Sequence, residues 1–423
     1  MVTDTPDRIL RALFDCAVRV ADPMQTLAAH LPPKPAGRIV VIGAGKASAR
    51  MAQAVEAHWG PCDGLIITRY GYDVPCRGIT IVPAAHPVPD QAGVDATRKM
   101  LDMVAHLGKD DFVLALVSGG ASALLCAPVD GVSLKQKQAL NAALLASGAP
   151  IDRMNVVRKH LSRVKGGQLA AAAYPARILC LMISDVPGDD PAMIGSGPTV
   201  GEVSSPAKAI EILQDWAVTA PATIVTALQN PTRVIRPDDI RLSRTTNVIY
   251  AAPAQSLFAA AQLAQSLRCD VQMLGDAIEG EARDVAQAHA ARAIAAQATR
   301  KPDDPPLILL SGGELTVTRR GDGIGGPNAE FCLALALALR GACGIYAIAC
   351  DTDGIDGAAD VAGAIIGPET LKTAATQGCD AAGMLANNDA HSFFACINSQ
   401  VITGPTFTNV NDFRAILILP PDE

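Results

Sequence analysis

Five apolar runs, each passing into a polar turn, constrain this chain more than any other feature. They are "RIVVIG" (38–43), "GLIITR" (64–69), "ITIVPA" (79–84), "FVLALVSGG" (112–120) and "RILCLMIS" (177–184). None alternates apolar with polar residues, as a strand wetted on one side would. Strands apolar on both faces are buried on both, which is the pattern of a mainly parallel sheet covered by helices. The segments between them carry helical spacing: 46–58, roughly 91–107, "SLKQKQALNAALLASGA" (133–149) and "NVVRKHLSRVKGGQLAAAA" (155–173). Ahead of the first strand, Ile9, Leu10, Leu13, Phe14, Ala17 and Val18 mark one face of an amphipathic helix, followed by the stiff "LPPKPAG" linker.

At 423 residues the chain is long for one core and comfortable for two. Between 227 and 243, "ALQNPTRVIRPDDIRLS" interrupts the alternation with two prolines and mixed charges, so a boundary is expected there. The expected domains are 1–235 and 244–423. Beyond the break come strands at 246–251, 270–274 and 307–313, a long alanine-rich helix at 279–299, and a helix at 328–340. A strand at 344–354, helices near 368–397 and a final strand "RAILIL" complete it. The expected fold is therefore α/β with two domains.

Composition removes several function classes. Charged residues are 18% and the formal net charge is −7, which opposes a nucleic-acid surface while allowing a local cationic pocket. No stretch of about 18 apolar residues is free of charge, so no membrane span is expected. The acid-bearing N-terminus is not a signal peptide. Eleven cysteines, scattered singly without a C-x-x-C pair, fit a reducing compartment and offer no zinc spacing. A cytoplasmic protein is expected.

Chemistry collects at strand ends. "GAGKAS" (43–48) follows the first strand and opens a helix, so the backbone at Gly43 and Gly45 is placed to cradle an anion. It is neither a P-loop nor a full dinucleotide fingerprint, because Ser48 stands at the third glycine position; Arg69, ending the second strand, would suit a 2′-phosphate. Lys46 adds a cation to a positive helix end, which is unfavourable unless an anion sits there. Two Ser-Gly-Gly segments, Ser118-Gly119-Gly120 and Ser311-Gly312-Gly313, read as strand-end turns able to approach a phosphate closely. Arg158, Lys159, Arg163 and Lys165 gather cations on one expected helix, with Asn155, Lys159 and Ser162 on one face. Asp185, Asp189 and Asp190 follow the fifth strand through a Pro-Gly turn, and Asp351, Asp353 and Asp356 form a second acidic strand end. Carboxylates beside anion cradles fit Mg²⁺ held with nucleotide phosphates, or a base for a substrate hydroxyl. An Asp-Asp-Pro sequence is equally a helix start. The histidines are poor candidates for catalysis; His86 in "HPVPD" alone has a turn-rich polar context.

Ten segments in order extend this reading across nearly the whole chain: "VIGAGKASARMA", "HPVPD", "LVSGGASALL", "NVVRKHLSRVKGGQLA", "ISDVPGDDPAMIGSGPT", "LSGGELTVT", "GGPNAEF", "DTDGIDG", "NNDAHSFF" and "TGPTFTNVNDFRAILI". Together they resemble the glycerate 2-kinase family with a C-terminal MOFRL domain. The resemblance implies a Rossmann-like N-terminal domain, a smaller α/β C-terminal domain and an active site in the cleft between them. It further implies ATP and a divalent cation, with D-glycerate phosphorylated to 2-phosphoglycerate. The family's proposed catalytic lysine falls on Lys46, and a second basic residue, an arginine, falls on Pro327 of "GGPNAEF". On this reading Lys46 and Asp189 are catalytic. Gly43, Gly45, Ser118, Gly119, Gly120, Arg158, Lys159, Ser311, Gly312, Gly313 and Asn328 meet substrate or nucleotide, and Asp185, Asp189, Asp190 and Asp351 meet metal. Two rival readings are an NADPH-dependent hydroxypyruvate reductase, a name some members carry, and a non-enzymatic phosphometabolite sensor. No nucleic-acid or membrane partner is expected, and a homo-oligomer is left open.

Overall fold

The structure, a computed structural model, describes residues 5–231, 233–357 and 359–421. It divides into two compact units, one of residues 23–250 and one combining residues up to Asp22 with those from Ala251 onward.

The first unit is built on β1 (Ile39–Ala44), β2 (Asp63–Arg69), β3 (Ile79–Ala84), β4 (Phe112–Val117), β5 (Arg177–Ile183) and β6 (Thr245–Ala251). Their order is β3-β2-β1-β4-β5-β6, with the pairs β1–β2, β2–β3, β1–β4 and β4–β5 all parallel. Every residue of β4 is buried, which is why its sequence shows no polar alternation. The strand order changes direction between β1 and β4, the place in an open α/β sheet where ligands commonly bind at the carboxyl ends. Helix starts are set locally. Asp90 accepts the Gly93 N–H ahead of Gln91–Val104, and Ser133 with Gln136 forms a reciprocal cap on Leu134–Ala146.

The second unit contains β7 (Asp270–Gly275), β8 (Gly280–Glu281), β9 (Leu307–Gly313), β10 (Leu315–Thr316), β11 (Ile345–Asp351), β12 (Gly363–Ile366), β13 (Gln400–Val401) and β14 (Asp412–Ile418). Its main sheet runs β13-β12-β11-β14-β9-β7 and is mixed: only β7 and β9 pair in parallel. Along β9, Leu307 and Leu309 enter one core beneath the helix Pro327–Leu339. Ile308 and Leu310 enter the other, beneath Pro6–Ala21 and Pro253–Ser266. Two cores explain an unbroken apolar strand in a sheet that is not parallel.

Three expectations change here. The boundary at 235/244 does not separate the units, because the strand after it completes the first sheet and the first helix of the chain belongs with the second. A proline-rich interruption marks a loop, and only strand pairing shows which sheet receives the next strand. The helix expected over 155–173 is two, Ile151–His160 and Gln168–Ala173. They are separated by a turn containing the left-handed Gly166 and Gly167, so Ser162 leaves the face shared by Asn155 and Lys159, and Lys165 is no longer on one helix with Arg158. The cysteines are not all single: Cys379 and Cys396 form a disulfide, brought together by a chain reversal that spacing cannot show, and this departs from the reduced set expected. Among the described residues no helix is long and apolar enough to cross a membrane.

Phe14 is fully buried with its ring 6.0 Å from that of Phe413 in β14. Phe14→Ala should cost about 3–5 kcal/mol. Native-state hydrogen exchange should show the lost protection in β9, β11 and β14, with β1 and β4 unaffected, although Phe14 precedes β1 in sequence.

Candidate active site

The turn after β1 is closed by the turn after β4. Gly45 donates its N–H to Ile67 O at 3.1 Å, Lys46 to Gly119 O at 2.8 Å, and Ala47 to Ser118 Oγ at 3.1 Å; Ser48 N–H returns to Gly45 O. Ser48 Oγ meets Leu116 O and Ser118 Oγ. The expected anion cradle at 43–48 is therefore not formed by these amides, all of which already have protein acceptors. Gly43 and Gly45 serve close approach instead: a Cβ would stand 1.9 Å from Leu116 O at the first and 2.0 Å from Ser118 Oγ at the second. Ser118 is fully buried and braces the two turns through these hydrogen bonds. The consequence is a fixed backbone at Lys46.

Gly120, in the left-handed region at φ 83°, keeps the next layer open. A Cβ there would meet His86 Cδ2 at 3.1 Å, His86 Nε2 at 3.2 Å and Lys46 Cγ at 3.5 Å. Lys46 and His86 thus flank one glycine of the expected cradle. The sequence offered only the turn-rich context of "HPVPD" as a signal for His86.

Beyond β5, Gly188 and Asp189 are both left-handed, at φ 78° and 52°, and Asp189 N–H bonds back to Val186 O at 3.1 Å. A side chain held in that region by a tight turn is a functional candidate. Asp190 behaves differently. Its Oδ1 accepts the Ala192 N–H at 2.9 Å and its carbonyl accepts that of Met193, so it starts the following turn as a cap. Asp351 likewise accepts the Asp353 N–H at 2.8 Å and lies in the other unit. Among the described residues, no group of three or more His, Cys, Asp or Glu side chains is arranged to hold a metal.

The cationic segment also separates by partner. Lys159 is a buried ion pair with Glu202 at 2.6 Å and is not available to a ligand. Among the described residues Arg158, half-buried, bonds only neutral groups, Asn141 Oδ1 at 3.2 Å and Asn155 Oδ1 at 3.3 Å. Asn155 Oδ1 accepts from Ser196 Oγ at 3.4 Å, and Ser196 Oγ meets Ser122 Oγ at 2.7 Å. This chain leads from Arg158 to the helix Ala121–Leu124 that follows Gly120.

The second Ser-Gly-Gly is not a turn. Ser311, Gly312 and Gly313 are the last residues of β9, paired with Arg414, Phe413 and Asp412 of β14. Ser311 Oγ meets His289 Nε2 at 3.2 Å, Gly312 O accepts from Arg414, and Gly313 lies against the backbone of Ile278. The resemblance to 118–120 is in sequence alone. Asn328 is buried beside Pro327, which occupies a favoured first helical position. Its Nδ2 donates to Asp412 Oδ1 at 2.6 Å and Asp356 Oδ1 at 3.3 Å. Asp356 caps the helix through the Asn328 and Ala329 amides. Arg414 Nη1 completes the set on Asp412 Oδ2 at 3.0 Å.

A crossover parallel sheet with a lysine and a carboxylate turn at its strand ends defines the class, an α/β enzyme acting on a small anionic ligand. Residues 9–229 match a family described as a domain of unknown function (DUF4147), and residues 307–412 match the MOFRL family. A D-glycerate 2-kinase of Thermotoga maritima is 35% identical over 95% of this chain and 96% of its own. The crystal structure of glycerate kinase from Thermotoga maritima superposes with a TM-score of 0.88 at 34% identity, covering 97% of this chain and 99% of that one. A protein of Agrobacterium vitis, provisionally named hydroxypyruvate reductase, is 47% identical over 97% of this chain and 94% of its own. The chain belongs to the glycerate kinase family with a MOFRL domain.

The buried Asp356 gives the second unit a pH signature. Burial, with Asp412 adding to it, holds the Asp356 carboxyl up at about 7 against the helix amides that favour its charge. An unfolded carboxyl titrates near 4. Between these values the folded chain keeps a proton that the unfolded chain has lost, so this group's contribution falls as pH rises from about 4 to about 7. Urea melts should show the wild type losing stability relative to Asp356→Asn across that window. A difference that stays constant would mean that Asp356 is ionised throughout.

Proposed function

We propose that this protein is a D-glycerate 2-kinase, transferring the γ-phosphoryl group of ATP to the 2-hydroxyl of D-glycerate. The new bond joins the glycerate O2 to phosphorus, the bond to the bridging β,γ-oxygen breaks, the hydroxyl proton passes to Asp189 or to solvent, and 2-phosphoglycerate and ADP leave. Lys46 carries this reading: its backbone is pinned to Gly119 while its side chain runs over Gly120. Phosphoryl transfer asks a protein mainly for positioning and charge neutralisation. A cation on a braced strand end supplies both, and it does so with little reorganisation.

Asp185 and Asp189, both following β5 in the first unit, are the carboxylates proposed to hold a divalent cation; Asp190 starts the next turn as a cap, and Asp351 belongs to the other unit. One or two carboxylates with phosphate and water suit Mg²⁺, which when bound would neutralise charge on the transferring phosphates. Asp189 is the alternative acceptor for the glycerate hydroxyl proton. In either role it is presented by the left-handed turn after β5.

The reductase reading has the higher-identity relative in its favour. Against it stands the turn after β1. A dinucleotide pyrophosphate needs free amides at the first strand–helix turn, and those of Gly45, Lys46 and Ala47 are bonded within the protein. NADPH oxidation by hydroxypyruvate without ATP, at a rate matching any kinase activity, would restore that reading.

Lys46→Ala should lower ATP- and glycerate-dependent ADP release by at least ~100-fold with an unchanged melting temperature, as loss of a preorganised charge does. An unimpaired Lys46→Ala enzyme would remove the central assignment. Asp189→Asn should raise the Mg²⁺ concentration needed for half-maximal rate, since an amide keeps an acceptor and loses the charge. A lower kcat with the same Mg²⁺ dependence would make Asp189 the base, and superimposable curves would leave it structural.

A further inference from the structure

Three cations in the first unit lie close together with no counterion among the described residues. Lys137, on the helix Leu134–Ala146, is only 5% exposed, and its Nζ has no hydrogen-bond partner. Lys165 is 1% exposed, and its Nζ donates to Ser122 O at 2.6 Å and Ser122 Oγ at 3.3 Å. Arg158 bonds Asn141 and Asn155. Among the described residues none of the three is paired with a carboxylate. Lys137 and Arg158 stand near enough to Lys165 to lower its proton affinity further after burial has already done so. Burying a lone ammonium costs several kcal/mol even after relaxation. The same segment shows how this fold handles a purely structural lysine, for Lys159 is buried directly against Glu202.

We propose that Lys137, Arg158 and Lys165 bind the carboxylate of the small hydroxy-acid substrate. This rests on the kinase reading for the identity of the acid and on the unpaired cations for the site. The hydrogen-bonded chain Ser122–Ser196–Asn155 supplies neutral polar groups between Lys165 and Arg158. Ser122 lies two residues past Gly120, against which Lys46 and His86 are packed. On this proposal a carboxylate held beside Ser122 would place the 2-carbon, its direct neighbour, closer to the Lys46 turn than the 3-carbon. That arrangement selects the 2-hydroxyl over the 3-hydroxyl. Two lysines this deeply buried match a compact monoanion better than a solvated triphosphate.

The test is calorimetric titration of D-glycerate, and separately of ATP with Mg²⁺, into the wild type, Lys137→Met, Arg158→Gln and the exposed control Lys135→Met. Each of the first two variants should weaken D-glycerate by at least ~10-fold, as loss of a buried charge-assisted hydrogen bond does. ATP affinity should change by less than about twofold, and neutral glyceramide should bind all four proteins equally poorly. Lys137→Met should fold with a melting temperature no lower than the wild type, because it removes an unpaired buried charge; Arg158→Gln provides the independent check. Unchanged D-glycerate affinity in both variants, or a loss confined to ATP, overturns the proposal. If the wild type binds D-glycerate with these losses in the variants and yet transfers no phosphoryl group, the site stands and the kinase reading fails.

Discussion

The hydroxyl of Ser118 joins the turns after β1 and β4, and the rest of the catalytic end is arranged around that contact. It accepts the Ala47 amide and meets Ser48 Oγ, while the neighbouring Gly119 carbonyl takes the Lys46 amide. Both turns come so close that only glycine fits at 43 and 45. Two strand ends are thereby locked in register, and Lys46 emerges from a backbone with no freedom to drift. A long, flexible, strongly hydrated side chain becomes useful for charge stabilisation when its root is held in this way.

Buried charge marks the difference between structure and function in this fold. Several buried charges are paired: Lys159 with Glu202, Arg414 with Asp412, Arg283 with Glu330, and Glu56 with the amides of Gly78 and Ile79. The second unit goes further and links Arg414, Asp412, Asn328 and Asp356 into one network at a helix start. Against that background the uncompensated Lys165 beside Ser122, with Lys137 near it, stands out and is the basis of the proposed carboxylate site. Their neighbours are hydroxyls, amides and a thiol, none of which neutralises them.

Much of the fold was legible because burial on both faces leaves unbroken apolar runs, and those runs placed all five leading strands of the first sheet. The same logic misled in the second unit, where β9 is equally apolar inside a largely antiparallel sheet: coverage by helices, and not strand direction, sets the pattern. Lys46 and the acid turn were legible as charges at strand ends. That Gly43 and Gly45 serve packing instead of an anion cradle was not, because a glycine needed for close packing and one needed for a ligand look alike in sequence. Ser311-Gly312-Gly313 shows this plainly, being ladder residues with the letters of a turn. Lys137 left a faint signal, a lysine on the face that Leu140 and Leu144 bury. His86 left almost none, since only the fold brings it to Gly120.

The account depends on one reaction, and the most direct measurement is phosphorus NMR of the purified protein with ATP, Mg²⁺ and D-glycerate. It predicts 2-phosphoglycerate and ADP appearing in equal amounts, with no 3-phosphoglycerate formed. Intact ATP alongside hydroxypyruvate-dependent oxidation of NADPH would contradict it, and 3-phosphoglycerate as the product would contradict the placement of the carboxylate.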